Sequence, residues 1–426
     1  MQVIRNLNVK EEIYTKTLEN GLNVIIIPKK NTLKKYVMWG TNFGSIDNHF
    51  KIKQDNEEVQ IPDGVAHFLE HKLFEQENGT NSLDVLTALG VEPNAYTSND
   101  HTAYLFEATS NFYEALDELM NYVQNPYFTD ENVEKEKGII AQEIKMYDDY
   151  PDWVVYMNAL RNMYKNNPIR IDIAGDVESI YKIDKEVLYK CYNTFYNPSN
   201  MVMCFSGDFE PEELVGEIKK RLIEKPSQGE IKRIYDEEPE EIVQKRKEQT
   251  MEVSMPIFVI GIKDKTANKE QDLVKKHIAI EILLNMIIGK SSSLYKELYE
   301  SELLISDPFL DYEFTSNYAH IAITGTSKNP DKVLEKIQKE IERLKTDGLD
   351  LEHFERIKNM VYGNSVKEFN NVSDIARMFI SDYFKGVNSF DYLENYKQVT
   401  PEYALEILKE VFLEEKTVIS IVKGNE

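Results

Sequence analysis

His67, Glu70 and His71 stand in the order H-F-L-E-H. Residues four apart on a helix lie one above the other, so imidazoles at 67 and 71 can reach a single ion without backbone strain. Glu70, three residues after His67, sits at the margin of the same face. A catalytic zinc takes three protein ligands and keeps a fourth position for water, so one more ligand, best an acidic one, must come from elsewhere. The stretch VEKEKGIIAQEIKMYDD offers two, because Glu136 and Glu143 are two helical turns apart and share a face. One can ligate Zn2+ while the other orients a ligating histidine, and spacing alone does not say which. Histidine pairs at this spacing also occur on ordinary surface helices. Here Val65, Ala66, Phe68, Leu69, Leu73 and Phe74 flank the trio and imply burial, whose cost a bound metal removes.

The elements around this stretch follow from periodicity. Asn20-Gly21 is a turn before LNVIII at 22–27, and KYVMWGTNF at 35–43 is a second extended run, which predicts a strand pair. Helical spacing runs from Asp63 through Phe74 and again through NSLDVLTALG. NAYTSNDHTAYLFEAT at 94–109 reads as a strand or a bent strand pair. A helix with Leu116, Leu119 and Val123 on one face follows, then another over 130–147 and a strand at 200–209.

The segment 225–250 is highly charged and carries Pro226, Gly229 and Pro239, so it is expected as a linker. Beyond it the order partly repeats: a strand at 256–262, a long helix at 272–288, strands around 308–325, an amphipathic helix ending at Gly348, and the last strand TVISIVK. Two similar halves result, with no residue-level repeat in view.

Composition narrows the function classes. Asp plus Glu is 74 against 50 for Lys plus Arg, a net charge of −24, which disfavours nucleic acid as a partner. Hydrophobic residues make up 42% of the 426, enough for a sizeable core. Cys191 and Cys204 are too few for a disulfide framework and are expected as core residues. Neither the amino-terminal stretch nor any other has the long uncharged apolar run of a membrane segment, so the expectation is no membrane partner and a cytoplasmic location. GKSSS at 289–293 lacks the upstream glycine of a phosphate loop. His101 is expected as a polar strand residue, and the remaining histidines have no ligand-spaced neighbours.

H-x-x-E-H is the inverzincin signature, the reverse of H-E-x-x-H. Set in GVAHFLEHKLFE and followed by LTALGVEPNAYTSNDHTAYLF, it resembles the pitrilysin/insulinase family of zinc metallopeptidases, which includes the mitochondrial processing peptidases. The likeness extends through ENGLNVIIIP, FGSID, EKEKGIIAQEI and IAGDVESIYKIDKEVLYKCYNTFYNPSNMVMCFSGDF, about the first 210 residues.

The resemblance implies that His67 and His71 bind zinc, that Glu70 is the general base, that Glu143 is the third ligand and that Glu136 supports it. It also implies that the strand carrying Asn94, Ala95 and Tyr96 pairs with the backbone of a peptide substrate. The implied fold is α+β: a zinc domain over 1–224, the linker 225–250 and a second domain of similar type without metal ligands over 251–426. Each is a mainly antiparallel sheet with helices packed on it, and the two face each other as a clamshell.

The implied activity is endopeptidase hydrolysis of short or unfolded peptides. Family members that work alone or as homodimers carry an arginine and a tyrosine in the second half. Here GKSSSLYKELYESELLIS places Tyr299 and Ile305 at those positions, with Tyr299 a weaker candidate for an oxyanion donor. The expectation is therefore a zinc-bearing subunit whose homologous partner supplies the pair, with a homodimer as the other arrangement. The rival reading is a peptide-binding scaffold that keeps the fold.

Overall fold

The computed structural model describes residues 1–52, 58–225, 229–266 and 272–425. Pro226 of the expected linker lies outside them. Along the chain run β1 (Gln2–Asn6), β2 (Glu11–Thr17), β3 (Asn23–Pro28), β4 (Lys35–Thr41), β5 (His49–Ile52) and β6 (Glu58–Gln60). Next come α1 (Val65–Lys72), α2 (Ser82–Ala88), β7 (Glu92–Thr97), β8 (Thr102–Ala108), α3 (Phe112–Gln124), α4 (Asp130–Asp148) and α5 (Pro151–Met163). The middle of the chain holds α6 (Val177–Ile180), α7 (Lys185–Phe195), β9 (Met201–Gly207), α8 (Pro211–Arg221), β10 (Ile231–Arg233), β11 (Arg246–Thr250), β12 (Ile257–Asp264), α9 (Leu273–Ile288) and α10 (Ser293–Glu300). The remainder is β13 (Phe309–Phe314), β14 (Ala319–Thr326), α11 (Pro330–Asp347), α12 (Leu351–Glu368), α13 (Val372–Lys385), α14 (Ser389–Asn395), α15 (Pro401–Val411) and β15 (Thr417–Lys423).

These elements form two compact α+β units that are not contiguous stretches of chain. The first comprises residues 1–144, 172–234 and 367–389, the second 145–171, 235–366 and 390–426. The segment expected as a linker holds strand structure near both ends, since β10 pairs with β5 and β11 with β15.

In the first unit the sheet order is β1-β2-β3-β9-β4-β8-β7, antiparallel except for β3 and β9. The two runs expected to pair with each other, β3 and β4, are separated by β9. Both are buried on two faces, so their near-continuous apolar sequences suit a central position between other strands. Alternation then sorts the side chains. Val37, Trp39, Tyr104 and Phe106 join a core with Phe68, Leu69, Leu116, Ile140 and Cys191. Tyr36, Met38, Gly40 and Tyr96 therefore point to the opposite face, where α13 packs. A Cβ on Gly40 would lie 2.7 Å from the Phe384 ring of α13, so the missing side chain is what lets that helix approach.

The second unit repeats the arrangement as β11-β15-β12-β14-β13, again with one parallel pair, β11 with β15. Here α5 lies on one face, and a Cβ on Gly261 of β12 would come within 2.9 Å of Met163. Gly40 stands between Ala103 and Val202, and Gly261 between Ala322 and Val418. The same three residue types thus recur at equivalent places, a residue-level trace of repetition hidden in the linear sequence. No single helix among the described residues is long and apolar enough to cross a membrane.

The core helix α9 carries Glu281, whose burial pushes its carboxyl from 4.5 up to about 7. The folded state then holds the proton more tightly than the unfolded chain, so stability is fullest below about pH 4.5 and falls as pH rises through about 7. The loss amounts to roughly 3 kcal/mol. Glu281→Gln is expected to raise the melting temperature at pH 8 by clearly more than at pH 5. An equal gain at both pH values would contradict this assignment.

Candidate metal and peptide site

The sharp entry into α1 depends on Gly64, which adopts φ 89 at the helix N-cap. A Cβ there would sit 2.3 Å from the Ala174 carbonyl oxygen, so only glycine permits both this conformation and the close backbone approach. Val65, Ala66, Phe68 and Leu69 are then buried, which turns His67 and His71 toward α4. On α4, Ile140 and Ile144 enter the core as expected, whereas Ile139 remains 45% exposed.

The two helices bring the implied ligand set together. The imidazole centroids of His67 and His71 are 4.5 Å apart. Glu143 lies 3.7 Å from His67 Nε2 through Oε1 and 3.5 Å from His71 Nε2 through Oε2. One ligand atom from each of the three lies within 4.8 Å of the others. Donors around a tetrahedral zinc stand roughly 3.3 Å apart, so this set forms three corners that need only a small contraction. Burial, reinforced by the neighbouring charge of His71, lowers the His67 pKa to about 3 and keeps its lone pair free for a metal.

Glu136 takes the supporting place. His71 Nδ1 donates to Glu136 Oε1 at 3.1 Å, which leaves Nε2 as the lone-pair nitrogen facing Glu143. Burial acts to lower the His71 pKa, but this hydrogen bond and the carboxylates of Glu70, Glu143 and Glu136 outweigh it, so the value is raised. Burial likewise acts to raise Glu136; the hydrogen bond from His71 and the nearby ammonium of Lys72 prevail, and its carboxyl is held below the usual range. Lys72 is fully buried, with Nζ 2.5 Å from Glu75 and 3.6 Å from Glu136. His67 Nδ1 is buried without a hydrogen-bond partner, so packing orients that ring.

Glu70 opens onto a cavity of about 500 Å3 whose lining includes His71, Leu83, Asn94, Ala95 and Ile139. Thr97 Oγ1 donates to Glu70 Oε2 at 2.7 Å. The motif did not single out Thr97; the period-two alternation of β7, which puts it on the same face as Ala95, is the signal that finds it. Burial raises the Glu70 carboxyl pKa, opposed by the Thr97 hydrogen bond. Asn94 and Ala95 lie on β7, the outermost strand of the sheet. Tyr96 is turned to the opposite face, where its hydroxyl is 2.9 Å from His101 Nε2. His101 Nδ1 is 2.6 Å from Asp100 Oδ1, a buried polar chain within the strand pair. Tyr299 and Ile305 are exposed residues of the second unit.

Removing the Glu136 carboxylate by Glu136→Ala is expected to weaken zinc binding about 10- to 100-fold. Glu143→Ala should weaken it further. Competition with a chromophoric chelator measures both, and unchanged affinity in Glu136→Ala would remove the supporting role. Gly64→Ala should lower the melting temperature and zinc affinity together, because α1 cannot start where it does.

Residues 54–177 match the family described as Insulinase (Peptidase family M16), and residues 182–361 match the Peptidase M16 inactive domain. The chain is 40% identical over 420 residues to the uncharacterized zinc protease YmfH of Bacillus subtilis, covering 97% of both. It is 24% identical over 363 residues to YmxG of the same organism, another uncharacterized zinc protease, covering 82% of each. A crystal structure of a putative M16-like peptidase from Alicyclobacillus acidocaldarius superposes with a TM-score of 0.93 at 34% identity, covering 97% of this chain and 99% of that one.

Proposed function

Starting from a chain that belongs to the insulinase family of peptidases, M16, we propose that it is a zinc-dependent endopeptidase acting on short or unfolded peptides. The observation that carries this reading is the convergence of His67, His71 and Glu143 beside a fourth side chain, Glu70, that faces a cavity without being needed as a ligand. His67, His71 and Glu143 would hold the ion, with Glu136 fixing the His71 ring. Zinc, when bound, polarises the scissile carbonyl and makes a water acidic enough to attack it.

The remaining chemistry belongs to the chain. Glu70, oriented by Thr97, takes the proton of the attacking water and delivers it to the leaving amine. β7 offers the outer edge of the sheet to an extended peptide, whose main chain can add as a further strand regardless of its sequence. Its edge position beside the Glu70 cavity supports this mode of binding.

The Arg and Tyr expected from the second half are replaced by Tyr299 and Ile305. That replacement supports a role as the zinc-bearing subunit of a heterodimer whose homologous partner donates both groups. The scaffold reading rests on the same replacement, but retention of all four site residues favours catalysis.

Glu70→Gln is expected to lower turnover of a fluorogenic peptide by at least about a thousandfold, with zinc and peptide binding retained. Undiminished turnover would remove Glu70 as the base. The subunit reading is checked by adding a homologue that lacks H-x-x-E-H: cleavage no faster than that of the zinc-loaded chain alone counts against it.

A further inference from the structure

The face of the first sheet that turns away from Glu70 carries a cation that has no counter-ion among the described residues. Arg377 of α13 has its guanidinium carbon 5.8 Å from the Tyr36 ring centroid and 5.9 Å from that of Tyr96. It is exposed, and no carboxylate among the described residues pairs with it. What sets it apart from the other exposed arginines is its place over two tyrosine rings, one of them on the edge strand β7.

Beside it, Tyr36 is only 2% exposed, and the Arg377 guanidinium is the polar group that its hydroxyl meets. Burial pushes that hydroxyl up to about 12, with the charge of Arg377 acting against the rise, so it stays a neutral donor. The guanidinium donates at most one of its five N–H groups to the Tyr36 hydroxyl, so its exposed fork keeps donors for an anionic oxygen pair.

The position of Arg377 is built into the fold. Phe384, two turns further along α13, stacks on the His101 ring at 4.9 Å and 25° and fills the space above Gly40. His101 in turn is bound by Asp100 and by the Tyr96 hydroxyl, so the helix that carries Arg377 is tied to the β7–β8 pair.

Tyr96 lies on the same strand as Asn94 and Ala95. A peptide added to that edge sends alternate side chains to the two faces of the sheet, one set toward Glu70 and the other toward Tyr96 and Arg377.

We propose that Arg377, backed by Tyr36 and Tyr96, is a carboxylate-binding subsite that selects peptides presenting an acidic group on the face of the bound strand turned away from Glu70. The inference rests on the reading that peptides pair with β7. The carboxylate has two sources, an acidic side chain or the peptide's own C-terminus.

The test uses the zinc-loaded full chain carrying Glu70→Gln, so that peptides bind without turnover, and fluorescence anisotropy as the readout. Peptides that differ by a single Glu or Gln at successive positions form one arm, and C-terminal acids against amides form the other. The expected result is a preference for the carboxylate of about 10-fold in one arm, which identifies the source. Arg377→Gln should reduce that ratio to about one, and Arg377→Lys should restore part of it. The restoration separates lost recognition from lost folding. No preference in either arm, or a preference that survives Arg377→Gln, overturns the subsite while peptide binding stands. Failure of every peptide to bind overturns the peptidase reading itself, and this inference with it.

Discussion

Two imidazoles and a carboxylate held within 4.8 Å of one another, largely out of water, are the arrangement on which the first unit turns. Such a cluster has few stable states. Protonating His67 is opposed by burial and by the neighbouring charge of His71, while the Glu143 carboxyl faces both rings. A divalent cation answers all three groups at once. The polar surroundings read as consequences: Glu136 fixes the His71 ring, and Lys72, wholly buried, balances Glu136. The glycine at the start of α1 and the Ala174 carbonyl set the helix where those contacts are possible.

Local patterns announced most of this centre. The i, i+4 histidines, the seven-residue spacing of Glu136 and Glu143 and the apolar flanks are short-range features, and α1 and α4 form where periodicity put them. What stayed hidden was made by distant parts of the chain. β9 enters between β3 and β4 from more than one hundred and fifty residues away, and no alternation pattern in 22–43 records its arrival. The same holds for the Thr97–Glu70 hydrogen bond, which depends on how the β7–β8 pair docks beside α1. Ile139 belongs to an apolar run, yet it is exposed at the cavity because helix phase, not composition, decides which of three isoleucines faces the core.

The two sheets show how a repeated architecture separates from its chemistry. Strand order, the single parallel pair between corresponding strands, and the Gly-Ala-Val crossings at positions 40, 103, 202 and 261, 322, 418 recur in both units. The helix that corresponds to α1 is α9, which carries His277 and, four residues on, Glu281, but no second histidine, and no cluster of three ligand groups forms there among the described residues. Fold and site are therefore distinct layers, the same frame being kept where no such cluster occurs among the described residues.

The exchange of helices between the units carries a consequence for how the protein is made. All three candidate ligands have been synthesised by residue 143, but the sheet above which they sit lacks α13 until residue 385 has left the ribosome. Conversely, α5 is made before any strand of the sheet that it packs against, and the interior strand β15 of that sheet follows it by more than two hundred residues. Each unit therefore waits for segments that lie beyond stretches belonging to the other, so the two cannot fold strictly one after the other as independent domains commonly do.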